Sequence, residues 1–140
     1  MGMPSGTLPM KLATTRPLMS SPPVLLTRWE QVLGELLDRC AKFPKVSRFT
    51  FTQRIENLGL DVLEHLVRAR FSKGASRRAA LAEADIRLAQ LRALLRLAHA
   101  RTMLDHRGYE HLSRGLDECG RMLGGWREHG GGHGELGSIV

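Results

Sequence analysis

Apolar residues recur along this chain at the spacing of helices buried on one side, in four successive segments. The first, about residues 24–42, sets Leu26, Trp29, Leu33, Leu36 and Cys40 on one face, three or four positions apart as a 3.6-residue period requires. Thr27 and Glu30 have capping-box spacing, Pro22 and Pro23 mark a start one turn earlier, and Pro44 ends the helix. The second, about residues 50–71, carries the stripe Ile55, Leu58, Val62, Leu66 and Ala69, with Thr50 and Gln53 as another capping box. A short loop over residues 72–76 turns the chain, with Ser76 as the N-cap of the third helix. That helix runs to about Leu104 along Leu81, Ala84, Leu88, Leu91, Leu95 and Ala98. The fourth starts at Asp105, a good N-cap, and ends near Glu128. Its stripe is Tyr109, Leu112, Leu116, Cys119, Leu123 and Trp126, the heptad spacing of helices packed side by side. Short connections make neighbours antiparallel, so the expected fold is all-α: an up-down-up-down four-helix bundle over residues 24–128.

The flanks lack any period. Residues 1–23 are rich in Pro, Ser, Thr and Gly and are expected to form a flexible arm, unless the start codon is placed too early. Residues 129–140 include Gly130-Gly131-Gly132-His133-Gly134, too glycine-rich to order themselves.

Composition agrees with helices. The 140 residues suit one domain with a real core, 42% are hydrophobic, and only 5% are aromatic. No stretch approaches the ~20 apolar residues of a membrane span, and no continuous apolar run marks a signal peptide. Cys40 and Cys119 are isolated thiols on apolar stripes, as fits a reducing cytoplasm, with a disulfide between them as the alternative.

Charge changes the picture more. The net charge is +7 with 21 basic residues, most of them arginine, a balance that favours phosphate backbones, anionic surfaces or acidic proteins. The third helix carries Arg77, Arg78, Arg87, Arg92, Arg96 and Arg101 against Glu83 and Asp85. Arg92 and Arg96 sit one turn apart beside the buried stripe, where two like charges repel unless an anion lies across them. Arg68, Arg70, Lys73, Arg77 and Arg78 cluster around the turn between the second and third helices. A solvated loop tip is the plain reading of such a run, but the arginines continue down the third helix, which favours a binding surface. With so few aromatics for stacking, binding should rest on phosphates, with weak sequence preference and steep salt dependence.

Catalysis finds little support. Asp117 and Glu118 point to different sides of their helix, and Glu56, Asp61 and Glu64 alternate with arginines as in surface ion pairs. No glycine-rich phosphate loop follows a strand, and neither cysteine has an activating motif. Of the six histidines, His129 and His133 lie in the glycine tail with no rigid frame for a metal. His106 and His111 fall at the surface, and His99 near the Arg92 side is either a packed interface residue or one more phosphate contact. No cofactor or metal is expected. The outer side of the third helix carries Ala79, Ala82, Ile86, Ala93, Leu97 and Ala100, where a lone bundle would place charge. Gly120 and Gly124 lie one turn apart beside the fourth stripe, and both features point to close approach of another helix, as in an oligomer.

Six elements occur in order: Trp29-Glu30-x-Val32, Phe43-Pro44-Lys45, Leu60-Asp61-Val62-Leu63-Glu64, Ala84-Asp85-x-x-Leu88, Leu91-Arg92-x-x-Leu95-Arg96 and Gly120-Arg121-Met122-Leu123-Gly124-Gly125-Trp126. Over residues 24–128 the chain thereby resembles the accessory variability determinant proteins of diversity-generating retroelements. These stand within a wider group of small four-helix bundles that includes the ribosomal intervening-sequence proteins. The resemblance implies a basic homopentamer that binds the retroelement's reverse transcriptase and its template RNA or DNA, as a non-catalytic partner in mutagenic cDNA synthesis. It assigns binding to Arg92 and Arg96. A ribosomal intervening-sequence bundle with no polymerase partner is the alternative. The long N-terminal arm and the glycine-rich C-terminus depart from the compact family pattern.

Overall fold

A computed structural model describes residues 23–131. The N-terminal arm up to residue 22 and the tail from residue 132, His133 included, lie outside the described residues. Four α-helices follow one another: α1 (Pro23–Cys40), α2 (Gln53–Arg70), α3 (Gly74–Ala100) and α4 (His106–Gly125). Each packs on the next, and α4 returns onto α1, closing an antiparallel four-helix bundle. No strand occurs among the described residues.

The predicted stripes form the core. Trp29, Leu36, Ile55, Leu66, Leu81, Leu88, Leu91, Leu95, Leu112, Leu116 and Leu123 are all fully buried. On α1 the buried position near the start is Leu25 rather than Leu26, and Val32 joins the core. Two glycines let helices meet closely. The Trp29 indole N–H donates to the carbonyl of Gly59 at 3.1 Å, and a Cβ on Gly59 would stand 2.6 Å from Leu33 Cδ1. A Cβ on Gly115 would stand 2.9 Å from Val32 Cγ2, so α1 and α4 touch at a residue with no side chain.

Several helix ends differ from the sequence expectation in physically readable ways. The first helix takes the earlier of its two expected starts, at Pro23, whose fixed φ and missing N–H suit a first turn. Thr27 is therefore inside the helix and forms no capping box with Glu30. The helix stops at Cys40, three residues before Phe43 and four before Pro44, through backbone turns from Lys42 to Arg39 and from Phe43 to Cys40. The chain then enters α2 through a 3-10 turn (Lys45–Ser47) and a π turn (Arg48–Thr52), so Thr50 caps nothing; its hydroxyl donates to the Ser47 carbonyl at 3.3 Å. The third helix opens at Gly74, which takes φ +53°, after Lys73 rather than Ser76. It ends at Ala100 instead of Leu104. There the N–H of Met103 bonds the Ala98 carbonyl and that of Thr102 the His99 carbonyl, a Schellman stop. Thr102 occupies the left-handed position with φ 60°, which glycine usually takes, and a β-branched residue there is strained. Asp105 caps α4 as expected, its carboxylate accepting from the Gly108 N–H at 2.7 Å.

Candidate nucleic-acid and partner interface

The predicted basic residues fall into two groups along α3. One group rings the α2–α3 turn, and the other lies roughly 20 Å further along, at 1.5 Å per residue from Arg78 to Arg92.

At the turn, Arg77 is committed to the fold. Its Nε donates to the Ala69 carbonyl at 2.9 Å and its Nη2 to the Arg70 carbonyl at 3.4 Å. These are among the last carbonyls of α2, which have no partner within their own helix. Its guanidinium also lies 5.6 Å from the centre of the Trp126 ring, tying α2, α3 and the end of α4 together. The Arg70 guanidinium covers the exposed Phe71 ring at 5.6 Å. Arg68 and Lys73 are exposed and form no ion pair among the described residues, and Arg78 is exposed beside them.

The second group contains Arg92 and Arg96, and the structure separates them. The Arg92 side chain crosses to α4 and lies over Gly120, the space a Cβ there would fill. Its Nη2 donates to the Leu116 carbonyl at 3.3 Å, and its Nε is 3.4 Å from Asp117 Oδ1. That Nε is buried and forms an ion pair without hydrogen-bond geometry. The anion that the sequence argument required across Arg92 is thus supplied within the chain, and Gly120 serves this approach. Gly124 has nothing within 4 Å of a Cβ position. Arg96, by contrast, is exposed with no ion pair among the described residues.

The fourth helix carries further exposed cations. Arg107, Arg114 and Arg121 are all exposed on α4 at seven-residue spacing, so they form one row two turns apart. Among the described residues only Arg114 of the three has an ion-pair partner, Glu110 at 4.0 Å. The spacing was visible in the sequence as arginines on the polar side of the heptad. Other arginines are spent on the bundle: Arg28 on Glu118 at 2.9 Å, Arg127 on Asp85 at 2.7 Å, and Arg87 on Glu83 at 3.4 Å.

Three of the histidines pack or pair within the bundle. His99 stacks on Tyr109 at 4.5 Å between ring centres and 7° between planes, with His106 at 5.5 Å. His111 meets Glu35 at 2.9 Å. Both cysteines are free and buried. Burial pushes the Cys40 thiol up to about 12, with Glu56 adding to it, and burial likewise pushes Cys119 up to about 11. Such thiols are poor nucleophiles. Among the described residues no group of three metal-ligating side chains converges, and no helix is long and apolar enough to cross a membrane. The outer side of α3 leaves Ile86 and Leu97 about half exposed.

No curated protein and no solved structure matches the chain. A sequence profile of the bAvd-like family matches residues 23–129, spanning all four helices. That family is one of accessory variability determinants, generally non-catalytic. A profile match across the whole bundle, on a fold of four antiparallel helices, places it: the chain belongs to the bAvd-like family.

Proposed function

We propose that this protein is the non-catalytic accessory subunit of a diversity-generating retroelement, which binds the reverse transcriptase and its template RNA or DNA and supports mutagenic cDNA synthesis in the cytoplasm. The observation that carries this reading is the family match over residues 23–129. The charge distribution supports it, because a rigid bundle holding exposed arginines in rows is suited to phosphate backbones.

In this reading Arg96, Arg68 and Lys73 make the direct phosphate or carboxylate contacts, with Arg70 and Arg78 beside them. Arg92 and Arg77 hold the helices that present these residues and add positive potential. The half-exposed Ile86, with the exposed alanines of the same side, is the surface through which subunits associate into the pentamer.

The test is affinity capture of the tagged full chain from its host, with identification of bound protein and sequencing of bound RNA. Recovery of a reverse transcriptase together with a transcript of its template repeat is expected. Recovery of ribosomal RNA with no polymerase would overturn the reading in favour of a ribosomal intervening-sequence protein.

A further inference from the structure

The link from α1 into α2, residues 41–55, carries Lys42, Lys45, Arg48 and Arg54, three of the chain's four phenylalanines, and no carboxylate. The three rings have separate fates. Phe43 is buried, Phe51 packs partly buried against the core, and Phe49 is 80% exposed. Phe49 sits in the π turn Arg48–Thr52, a distortion that often accompanies functional positions. It stands beside a cleft of about 610 Å³ between the start of α2 and the end of α3.

The walls of this cleft have two characters. Phe49, Phe51 and Leu97 are apolar, while Gln53, Arg54 and Asn57 are polar. Gln53 and Asn57 are exposed amides one helical turn apart, and neither makes a side-chain hydrogen bond among the described residues. Arg54 and Arg48 are exposed without ion pairs among the described residues, and so is Arg101, the C-cap of α3 four residues after Leu97. A flat apolar wall, free amides able to donate and accept, and cations on either side make a set of groups complementary to one ligand chemistry. A second copy of this chain is disfavoured here, since a +7 protein would meet a cleft lined by the cation Arg54 and no carboxylate, with Arg48 and Arg101 as further cations.

We propose that this cleft takes one unpaired nucleotide of single-stranded nucleic acid. The base stacks on Phe49, its edge bonds Gln53 and Asn57, and the flanking phosphates meet Arg54, Arg48 and Arg101. The inference rests on the nucleic-acid reading above and deepens it: phosphate rows hold a strand, and the cleft distinguishes an unpaired strand from a duplex. Stacking is tolerant of base identity because every base has a π face, so the amides supply what preference there is.

The experiment uses the full chain and a single-stranded oligonucleotide carrying one 2-aminopurine, whose fluorescence falls when the base stacks, with a duplex of equal length beside it. Phe49→Ala should weaken single-strand binding by roughly 5- to 150-fold, remove the quench, and leave the salt slope and the duplex affinity unchanged. Phe49→Tyr should restore both affinity and quench. Arg54→Gln should instead flatten the salt slope by about 0.7. Phe49 is exposed, so these variants are expected to fold, and circular dichroism checks it. If wild type binds the oligonucleotide and Phe49→Ala binds it equally well, the cleft is not a nucleotide site. Equal binding with a reduced oligomer mass would assign the cleft to a subunit contact. If wild type binds no nucleic acid even at low salt, the functional reading falls as well.

Discussion

Replacing Arg92 and Arg96 separately by alanine should split two roles that the sequence presents as a pair. The Arg92 side chain is one-third exposed and its partner Asp117 is 58% exposed, so solvent screens their ion pair to ~0.2–1 kcal/mol. The hydrogen bond from Nη2 to the Leu116 carbonyl is long at 3.3 Å and falls at the low end of the ~1.5–3 kcal/mol range of charge-assisted bonds. The stem packed over Gly120 adds a further contribution. Arg92→Ala should therefore cost about 2 kcal/mol, a fall in Tm on the order of 10 °C for a bundle of this size. Arg96→Ala removes an exposed side chain without an ion pair among the described residues and should stay within ~0.5 kcal/mol. Binding should follow the opposite order. Below the melting range, Arg96→Ala should reduce the salt slope of nucleic-acid binding by about one unit, and Arg92→Ala by less. Thermal denaturation and salt titrations of both variants measure this. If Arg92→Ala melts with wild type while its affinity falls as far as that of Arg96→Ala, Arg92 faces a ligand and the clamp onto α4 is not formed.

Four further outcomes are expected. Gly115→Ala should destabilise by about 1 kcal/mol, since overpacking against the stiff Val32 (~1–3 kcal/mol) outweighs ~1 kcal/mol of helix propensity; an unchanged denaturation midpoint would show that α1 and α4 are less closely packed. Gly124→Ala, with open space around it, should gain up to ~1 kcal/mol, and a drop in oligomer mass would instead reveal a neighbouring subunit there. Ile86→Arg should lower the mass seen by light scattering coupled to gel filtration while leaving helical content intact; a monomeric wild type would remove the premise. The thiols of Cys40 and Cys119, raised from an ordinary value of 9.0 to about 12 and about 11, should resist alkylation until the chain unfolds. Because the folded values are the higher ones, this contribution is intact below pH 9 and is lost as pH rises towards 11–12, since unfolded thiols ionise first. Rapid labelling of the native protein at pH 8 would refute it.

What could be read from sequence depended on whether the information was local. The stripe of α3 was legible except for the buried Ala80, because six Leu and Ala positions repeat at helical spacing and all six are buried. The ends of α3 were not, because backbone geometry sets them: Gly74 at φ +53° opens it, and Thr102 at φ 60° closes it without the glycine that normally signals a stop. The arginine set was legible as charge but not as roles. Whether Arg92 lies on α4 depends on the register between two helices and on Gly120 opposite it, and whether Arg77 caps α2 depends on how tightly the turn folds back. The row Arg107, Arg114 and Arg121 was present as plain seven-residue spacing, and the carboxylate-free link around Phe49 as composition. Neither stood out until the fold showed which side chains remain exposed.

In the proposed function this chain serves a reverse transcriptase without itself catalysing synthesis. Reconstituted cDNA synthesis tests it most directly, with the retroelement's reverse transcriptase, its template RNA, and this protein either present or absent. Abundant cDNA is expected when the protein is added, none from the protein alone, and reduced product with Arg96→Ala. Equal cDNA yield and equal mutation frequency with and without the protein would contradict it.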